Sequence, residues 1–211
     1  MISVILLSGG VGSRINSAIP KQYLPLKNKE IIHFSFEQLK RFDELVVVAD
    51  PQYHSKFPGA KLALPGKRRQ DSVYNGLLQT TGDWILVHDG ARPFINKEMI
   101  DRLIEEGQKG VAATLARPVP FTIKEADINR MVTKTLDRSQ VWEIQTPQLV
   151  RRDILLKGFD LVHEKGIDVT DDVSIAELLG HPVKLVMGSP FNFKITSAED
   201  LKIAEGLVGY L

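Results

Sequence analysis

Short apolar runs punctuate the chain, and between them apolar positions recur at helical spacing. The first run, Ile2-Ser3-Val4-Ile5-Leu6-Leu7, predicts a buried strand. Residues 30–42 set Ile31, Phe34, Leu39 and Phe42 near one helical face, with Lys40 and Arg41 in the last turn, where cations suit the carbonyl end of a helix. Residues 44–50 read as a second buried strand stopped by Pro51, and residues 61–64 as a short third ended by Pro65-Gly66. Asp71 or Ser72 is expected to cap a helix carrying Val73, Leu77 and Leu78. Trp84-Ile85-Leu86-Val87-His88-Asp89 predicts a further strand that runs into Gly90-Ala91-Arg92-Pro93. Asn96 caps the next helix, whose Met99, Ile100, Leu103 and Ile104 share a face, and residues 111–116 form another strand. Strand and helix alternate throughout this part, which implies an α/β, three-layer, Rossmann-like fold with a mostly parallel sheet.

The alternation then breaks. Phe121-Thr122-Ile123-Lys124-Glu125 and Met131-Val132-Thr133-Lys134-Thr135-Leu136 flank a polar turn at Asp127-Ile128-Asn129 and read as a β-hairpin. Neither arm is apolar enough for a core, and a lone two-stranded ribbon is marginal in water. It is either a solvated surface hairpin or an arm that packs on a symmetry-related copy. Helical spacing returns over residues 151–165, with Ile154, Leu155, Phe159 and Val162 inward. Thr170-Asp171-Asp172 opens a helix bearing Val173, Ala176, Leu178 and Leu179, closed by Gly180. Residues 183–187 and 192–196 read as strands, and Ser197-Ala198-Glu199-Asp200 has capping-box spacing before a terminal helix. No internal repeat or linker interrupts the pattern. One domain over residues 1–211 is expected, with residues 117–140 as a projecting arm.

Composition narrows the chemistry. The 211 residues suffice for a large core, and a net charge of +1 supplies no bulk field toward nucleic acid or membrane. With no cysteine, thiolate catalysis, disulfides and cysteine metal sites are excluded. No apolar run approaches the roughly 18 residues of a membrane span. The start of the chain lacks a signal-peptide pattern, so a cytoplasmic location is expected, or the plastid stroma if a transit peptide has been removed.

The first strand opens into Ser8-Gly9-Gly10-Val11-Gly12-Ser13-Arg14, followed by Pro20-Lys21-Gln22-Tyr23. Glycines let a backbone approach a ligand closely, and the two cations Arg14 and Lys21 can balance phosphate charge. The dinucleotide fingerprint fits poorly, since Ile15 stands where the third glycine belongs, and the G-x-x-x-x-G-K-[ST] pattern is absent. In an open parallel sheet, ligands bind beyond the carboxyl ends of strands. Polar clusters stand there at the first loop, at Asp89 to Arg92 and near Gly66 to Ser72, with Lys194 and Thr196 at a later strand. These suit transfer onto a nucleoside triphosphate, with Asp89 the best placed carboxylate for Mg²⁺. A serine triad is rejected: G-x-S-x-G is absent, and His88 and Asp89 are strand neighbours on opposite faces. The five histidines show no metal-binding spacing, and His88 is read as structural.

Taken in order, these motifs resemble the 2-C-methyl-D-erythritol 4-phosphate cytidylyltransferases. The likeness runs from Leu7 to Arg14 and Pro20 to Leu24 through Arg69-Gln70-Asp71-Ser72-Val73, Val87-His88-Asp89-Gly90-Ala91-Arg92-Pro93 and Thr122-Ile123-Lys124. It continues through Asp137-Arg138, Thr146-Pro147-Gln148, Thr170-Asp171-Asp172 and Asn192-Phe193-Lys194-Ile195-Thr196. The resemblance implies a nucleotidyltransferase fold with a β-hairpin dimerisation arm, and CTP as co-substrate with Mg²⁺. It implies that Ser8, Gly9, Gly10, Gly12, Gly66, Lys67 and Ser72 surround the nucleotide. Arg14 and Lys21 match transition-state stabilisers, and Asp89 matches the carboxylate near the metal. Arg92, Thr122, Arg138, Lys194 and Thr196 match the sugar-phosphate side, with Thr122 and Arg138 crossing to a partner subunit. Lys194 matches the lysine that positions the nucleophilic phosphate.

Two departures stand out. Ser8-Gly9 replaces two alanines common in the family, and Phe191 stands where many members carry an acid. The nearest rival is a ribitol-5-phosphate cytidylyltransferase, which shares the loop, Pro-Lys-Gln and Lys-Ile-Thr; Asp137-Arg138 and Asp71-Ser72-Val73 favour the methylerythritol family. The other rival is a non-catalytic nucleotide-binding regulator on the same fold.

Overall fold

The apolar runs become neighbours in one sheet. The structure, a computed structural model, describes residues 1–10 and 19–210. Among them the chain runs β1 (Ile2–Leu7), a small ribbon of β2 (Pro25–Leu26) and β3 (Lys29–Glu30), α1 (Ile31–Leu39), β4 (Glu44–Val48), β5 (Lys61–Ala63), α2 (Arg69–Leu77), β6 (Trp84–Asp89), α3 (Lys97–Gly107) and β7 (Ala112–Pro118). It continues as β8 (Lys124–Ala126), β9 (Val132–Thr135), β10 (Trp142–Arg151), α4 (Arg152–Lys165), α5 (Ser174–Leu178), β11 (Lys184–Met187) and α6 (Ala198–Leu207).

The main sheet has the order β11-β7-β10-β6-β1-β4-β5. Every pairing is parallel except those of β10, which runs against both β6 and β7. Period-2 alternation sends Val4, Leu6, Val47 and Leu86 into a core shared with α1 and α3. Ile5, Val46, Val48, Ile85 and Val87 face the opposite core, with residues of α2, α4 and α5. Both faces are covered, which is why the central strands read as unbroken apolar runs rather than alternating ones. Full burial of each such side chain contributes about 1.5–3 kcal/mol. A third cluster, built on Leu26, Ile31, Phe94, Ile195 and Ala204, seats α6 against the small ribbon.

β10 has no counterpart among the expected strands. Pro147 lies inside it, at an irregular register between Ile144 and Gln148, and its buried face includes Gln145, Thr146 and Gln148. A strand with a proline and polar inward residues carries no apolar signature. The expected strand over residues 192–196 is an irregular segment, tied to the turn after β6 by Ile195 N–H donating to the Ala91 carbonyl at 2.9 Å. Neither Asp71 nor Ser72 is the N-cap of α2: the helix begins at Arg69, and Asp71, in its first turn, takes the other half of a capping box by accepting from the Arg68 N–H at 3.0 Å. Leu78 and Leu178 point outward, at 53% and 41% exposure, because both helices end at or just before them. Asn96 and Ser197 cap α3 and α6 as expected.

The hairpin forms as a separate sheet of β8 and β9, and all seven of its strand residues are exposed.

Candidate active site

The sheet order reverses at β1. From β1 the chain adds β4 and then β5 on one side, and β6 returns to the other. Loops leaving β1 and β6 therefore diverge and leave a crevice, the usual ligand position in such sheets. A cleft of about 360 Å³ lies there, lined among the described residues by Gly9, Gly10, Lys21, Gly66, Lys67, Ser72, Asp89, Lys194 and Thr196, with Leu7, Gln22, Arg68, Arg69, Gly90 and Ala91.

The first loop is braced from behind. Gln22 donates its side-chain amide to the carbonyls of Ser8, at 2.5 Å, and Gly10, at 3.1 Å. Tyr23 stacks on Tyr53 with ring centroids 3.7 Å apart, and its hydroxyl accepts from Ser8 Oγ. The Ser8 side chain is thus turned inward, so its nearness to the cleft rests on its backbone. Gly12 and Arg14 lie outside the described residues. Across the cleft, the N–H of Gly66 donates to Ser72 Oγ at 2.9 Å, so the first turn of α2 holds the loop before it. A Cβ on Gly66 would stand 2.3 Å from the Asp71 Cβ, and one on Gly9 would stand 2.4 Å from the Pro65 Cβ. Both positions need glycine for close approach.

Asp89 ends β6 at the floor of the cleft, 7% exposed. Its Oδ1 accepts from Arg69 Nε at 3.1 Å and its Oδ2 from Lys194 Nζ at 2.7 Å. Burial pushes this carboxyl up, but the charges of Arg69, Lys194 and Arg92 outweigh it and hold the group well below the usual carboxylate range. Arg69 also grips Asp172 with two parallel bonds of 2.8 Å. Asp172 is fixed in turn, since its N–H donates to Gln148 Oε1 at 2.7 Å. Neither Arg69 nor Asp172 stood among the expected site residues. Their signal was membership of two stretches that carry the resemblance, Arg69 to Val73 and Thr170 to Asp172, and the contact joins positions 103 apart in sequence.

His88 is fully buried, with Nε2 near the Arg92 carbonyl at 3.1 Å and Ser35 Oγ at 3.2 Å, and Nδ1 3.0 Å from Thr146 Oγ1. Burial pushes its pKa down to about 4, so it is a neutral structural group near pH 7. Arg92 is also buried and donates to the Asn192 carbonyl at 2.7 Å. It lines a second cavity of about 360 Å³ together with Lys194, Thr196, Glu143 and Phe193. Lys194 and Thr196 border both cavities. The Thr196 hydroxyl donates to Asp200 Oδ2 at 2.7 Å.

Of the remaining expected residues, Thr122 and Arg138 border neither cavity. Both are exposed on or beside the ribbon, where Arg138 reaches the Pro120 carbonyl at 3.5 Å. Among the described residues no group of three or more histidines and carboxylates could hold a metal ion. Asp89 keeps spare lone pairs beyond its two cationic partners, so it fits one position on a Mg²⁺ carried by phosphates and not a site made of protein alone.

The 2-C-methyl-D-erythritol 4-phosphate cytidylyltransferase family model matches residues 2–209. The chain is 49% identical over 220 residues to the chloroplastic 2-C-methyl-D-erythritol 4-phosphate cytidylyltransferase of Oryza sativa subsp. japonica, covering 98% of this chain and 74% of the relative. The Chlamydia pneumoniae enzyme of the same name is 43% identical over 211 residues, with 98% of each chain covered. Among solved structures, the Thermus thermophilus cytidylyltransferase superposes with a TM-score of 0.87 at 29% identity, covering 98% of both chains. That of Francisella tularensis gives 0.83 at 32% identity, covering 97% of this chain and 98% of that one. A family model that matches nearly the whole chain and relatives that are 43–49% identical across it give one answer: the chain belongs to the 2-C-methyl-D-erythritol 4-phosphate cytidylyltransferase family.

Proposed function

We propose that the cleft and the adjoining cavity are the nucleotide and sugar-phosphate halves of one active site. The chain is a CTP-dependent nucleotidyltransferase of isoprenoid precursor synthesis: CMP passes from CTP to 2-C-methyl-D-erythritol 4-phosphate, and pyrophosphate leaves. The observation that carries the site reading is Lys194, which borders both cavities and pairs with Asp89.

In this reading CTP lies along Gly9, Gly10, Gly12, Gly66, Lys67 and Ser72, close to the Ser8 backbone. A 4-phosphate oxygen of the sugar forms the new bond to the α-phosphorus, and the bond to the bridging oxygen breaks as pyrophosphate departs. The nucleophile is already an anion, so no general base is needed. Positioning and charge stabilisation supply the acceleration. Arg14 and Lys21 offset the charge that develops on the α-phosphoryl oxygens, while Lys194, Arg92 and Thr196 align the incoming phosphate. Asp89 would help hold a Mg²⁺ carried by the phosphates, which would supply further neutralisation of the leaving group's charge. Thr122 and Arg138 serve the neighbouring subunit of a homodimer, for which residues 117–140 form the arm of a one-domain chain. That neither lines this chain's own two cavities supports the assignment.

Pyrophosphate release tests the reading directly. We expect CTP-dependent release with 2-C-methyl-D-erythritol 4-phosphate and little with ribitol 5-phosphate. Lys194→Ala should lower turnover by about 10²–10³, the range found for deleting one oxyanion donor. Turnover unchanged in that variant would remove Lys194 from the site.

A further inference from the structure

We infer that Arg69 and Asp172 are positioning residues for the transfer step: Asp172 anchors Arg69, and Arg69 sets the orientation of Asp89. This deepens the assignment of Asp89 and Lys194 made above and rests on it.

Asp89 is a short side chain whose carboxylate could turn about its terminal torsion, a broad and soft one for this residue type. Here it is gripped on one oxygen by Arg69 and on the other by Lys194. The two grips differ. Lys194 is the group proposed to align the acceptor phosphate, and a lysine is a point charge on a flexible stem that can turn toward it. Arg69 is a planar fork whose Nη1 and Nη2 are committed to Asp172, so its Nε reaches Asp89 from a fixed direction. Asp172 is 2% exposed, and its N–H is tied to Gln148 on β10. Gln70, the next residue on α2, bonds both the Ile167 carbonyl and the Val169 N–H at 2.9 Å, which clamps α2 to the segment that carries Asp172. The chain of contacts from β10 through Asp172 and Arg69 leaves Asp89 one orientation when Lys194 turns away to substrate.

A buried Arg–Asp pair can also be purely structural, so the test has to separate the two roles. Replacing a buried ion pair by apolar residues of similar size often leaves stability unchanged or raised, whereas removing one partner is strongly destabilising. The double variant Arg69→Met/Asp172→Leu should thus melt near the parent, while kcat falls by about 10²-fold, the scale of a 1 Å misplacement in an active site. Arg69→Lys keeps the charge but cannot hold two carboxylates as a fork. It should stay folded, with kcat reduced to a similar extent and the KM for CTP within about threefold of the parent, as expected when an interaction serves the transition state. Recovery of parental kcat together with parental melting in the double variant would overturn the assignment. So would an Arg69→Lys variant with parental kcat, and if both variants fail to fold the pair is structural and the inference falls. Inactivity of the parent protein itself would instead count against the reading of the reaction.

Discussion

At the residue scale the cleft depends on side chains that must be present and on glycines where a side chain must be missing. Arg14→Ala or Lys21→Ala should each lower kcat by about 10²–10³, roughly 3–4 kcal/mol of transition-state stabilisation, read by steady-state pyrophosphate release. Unchanged kcat in either would remove that residue from its role. Gly66→Ala drives a Cβ to within 2.8 Å of the Asp71 backbone, so the loop before α2 has to shift. Overpacking of this kind costs about 1–3 kcal/mol, and KM for CTP should rise about tenfold. Gly110→Ala is the control, since its Cβ would meet nothing within 4 Å and both constants should hold. Asp89, Lys194 and the glycine loop were legible in the sequence because each follows an apolar strand or sits in a recognisable motif. Arg69 and Asp172 also sit in such motifs, but their pairing was not legible. Their significance lies in a pairing across 103 positions, and no local pattern encodes which cation will meet which carboxylate.

At the element scale, the two ends of the sheet do different work. The carboxyl ends of β1 and β6 frame the cleft, while the amino ends of four neighbouring strands are stapled by one carboxylate. Glu44, opening β4, accepts from Ser3 of β1, from Lys61 of β5 at 2.6 Å and from the N–H of Thr81, just before β6, at 2.7 Å. Burial pushes its pKa up, but the bonds from Lys61, Ser3 and Thr81 outweigh burial and draw it from 4.5 down to about 2. The folded value lies below the unfolded one, so the stabilisation is complete above about pH 4.5 and drains away as pH falls toward 2. A shift of that size corresponds to about 3 kcal/mol. Denaturant unfolding should find Glu44→Gln less stable than the parent by that order at pH 7, with the gap closing near pH 2. A gap that stayed constant with pH would mean that packing, and not the carboxylate's charge, is the source. The elements most visible in the sequence were those whose burial is apolar: β1, β4, β6, α3 and α4. β10 was invisible because three of its buried residues, Gln145, Thr146 and Gln148, are polar and spend their bonds on Ser189, His88 and Asp172. Only Leu149 and Val150, near its end, join the two cores, which is too short an apolar stretch to announce a ten-residue strand.

At the scale of the whole molecule, the ribbon poses the remaining question. It offers Phe121 at 72%, Ile128 at 97% and Met131 at 67% exposure, all beside strands that alone would be marginal in water. The sequence made the hairpin legible and left open what it packs on, because contacts made outside a chain's own core follow no internal periodicity. If Arg138 works in the neighbour's site, complementation has a fixed arithmetic. A subunit bearing Arg138→Ala keeps its own Lys21, and one bearing Lys21→Ala keeps its arm. In a mixed dimer one site then joins an intact Lys21 to an intact Arg138, and the other site is doubly deficient. Random exchange of equal amounts makes half the dimers mixed, so about a quarter of all sites are restored in a two-fold assembly. Two nearly inactive proteins should therefore recover about a quarter of the parental rate after subunit exchange. If Arg138 instead serves its own subunit, no pairing joins the two intact groups, and the mixture stays as inactive as its parts.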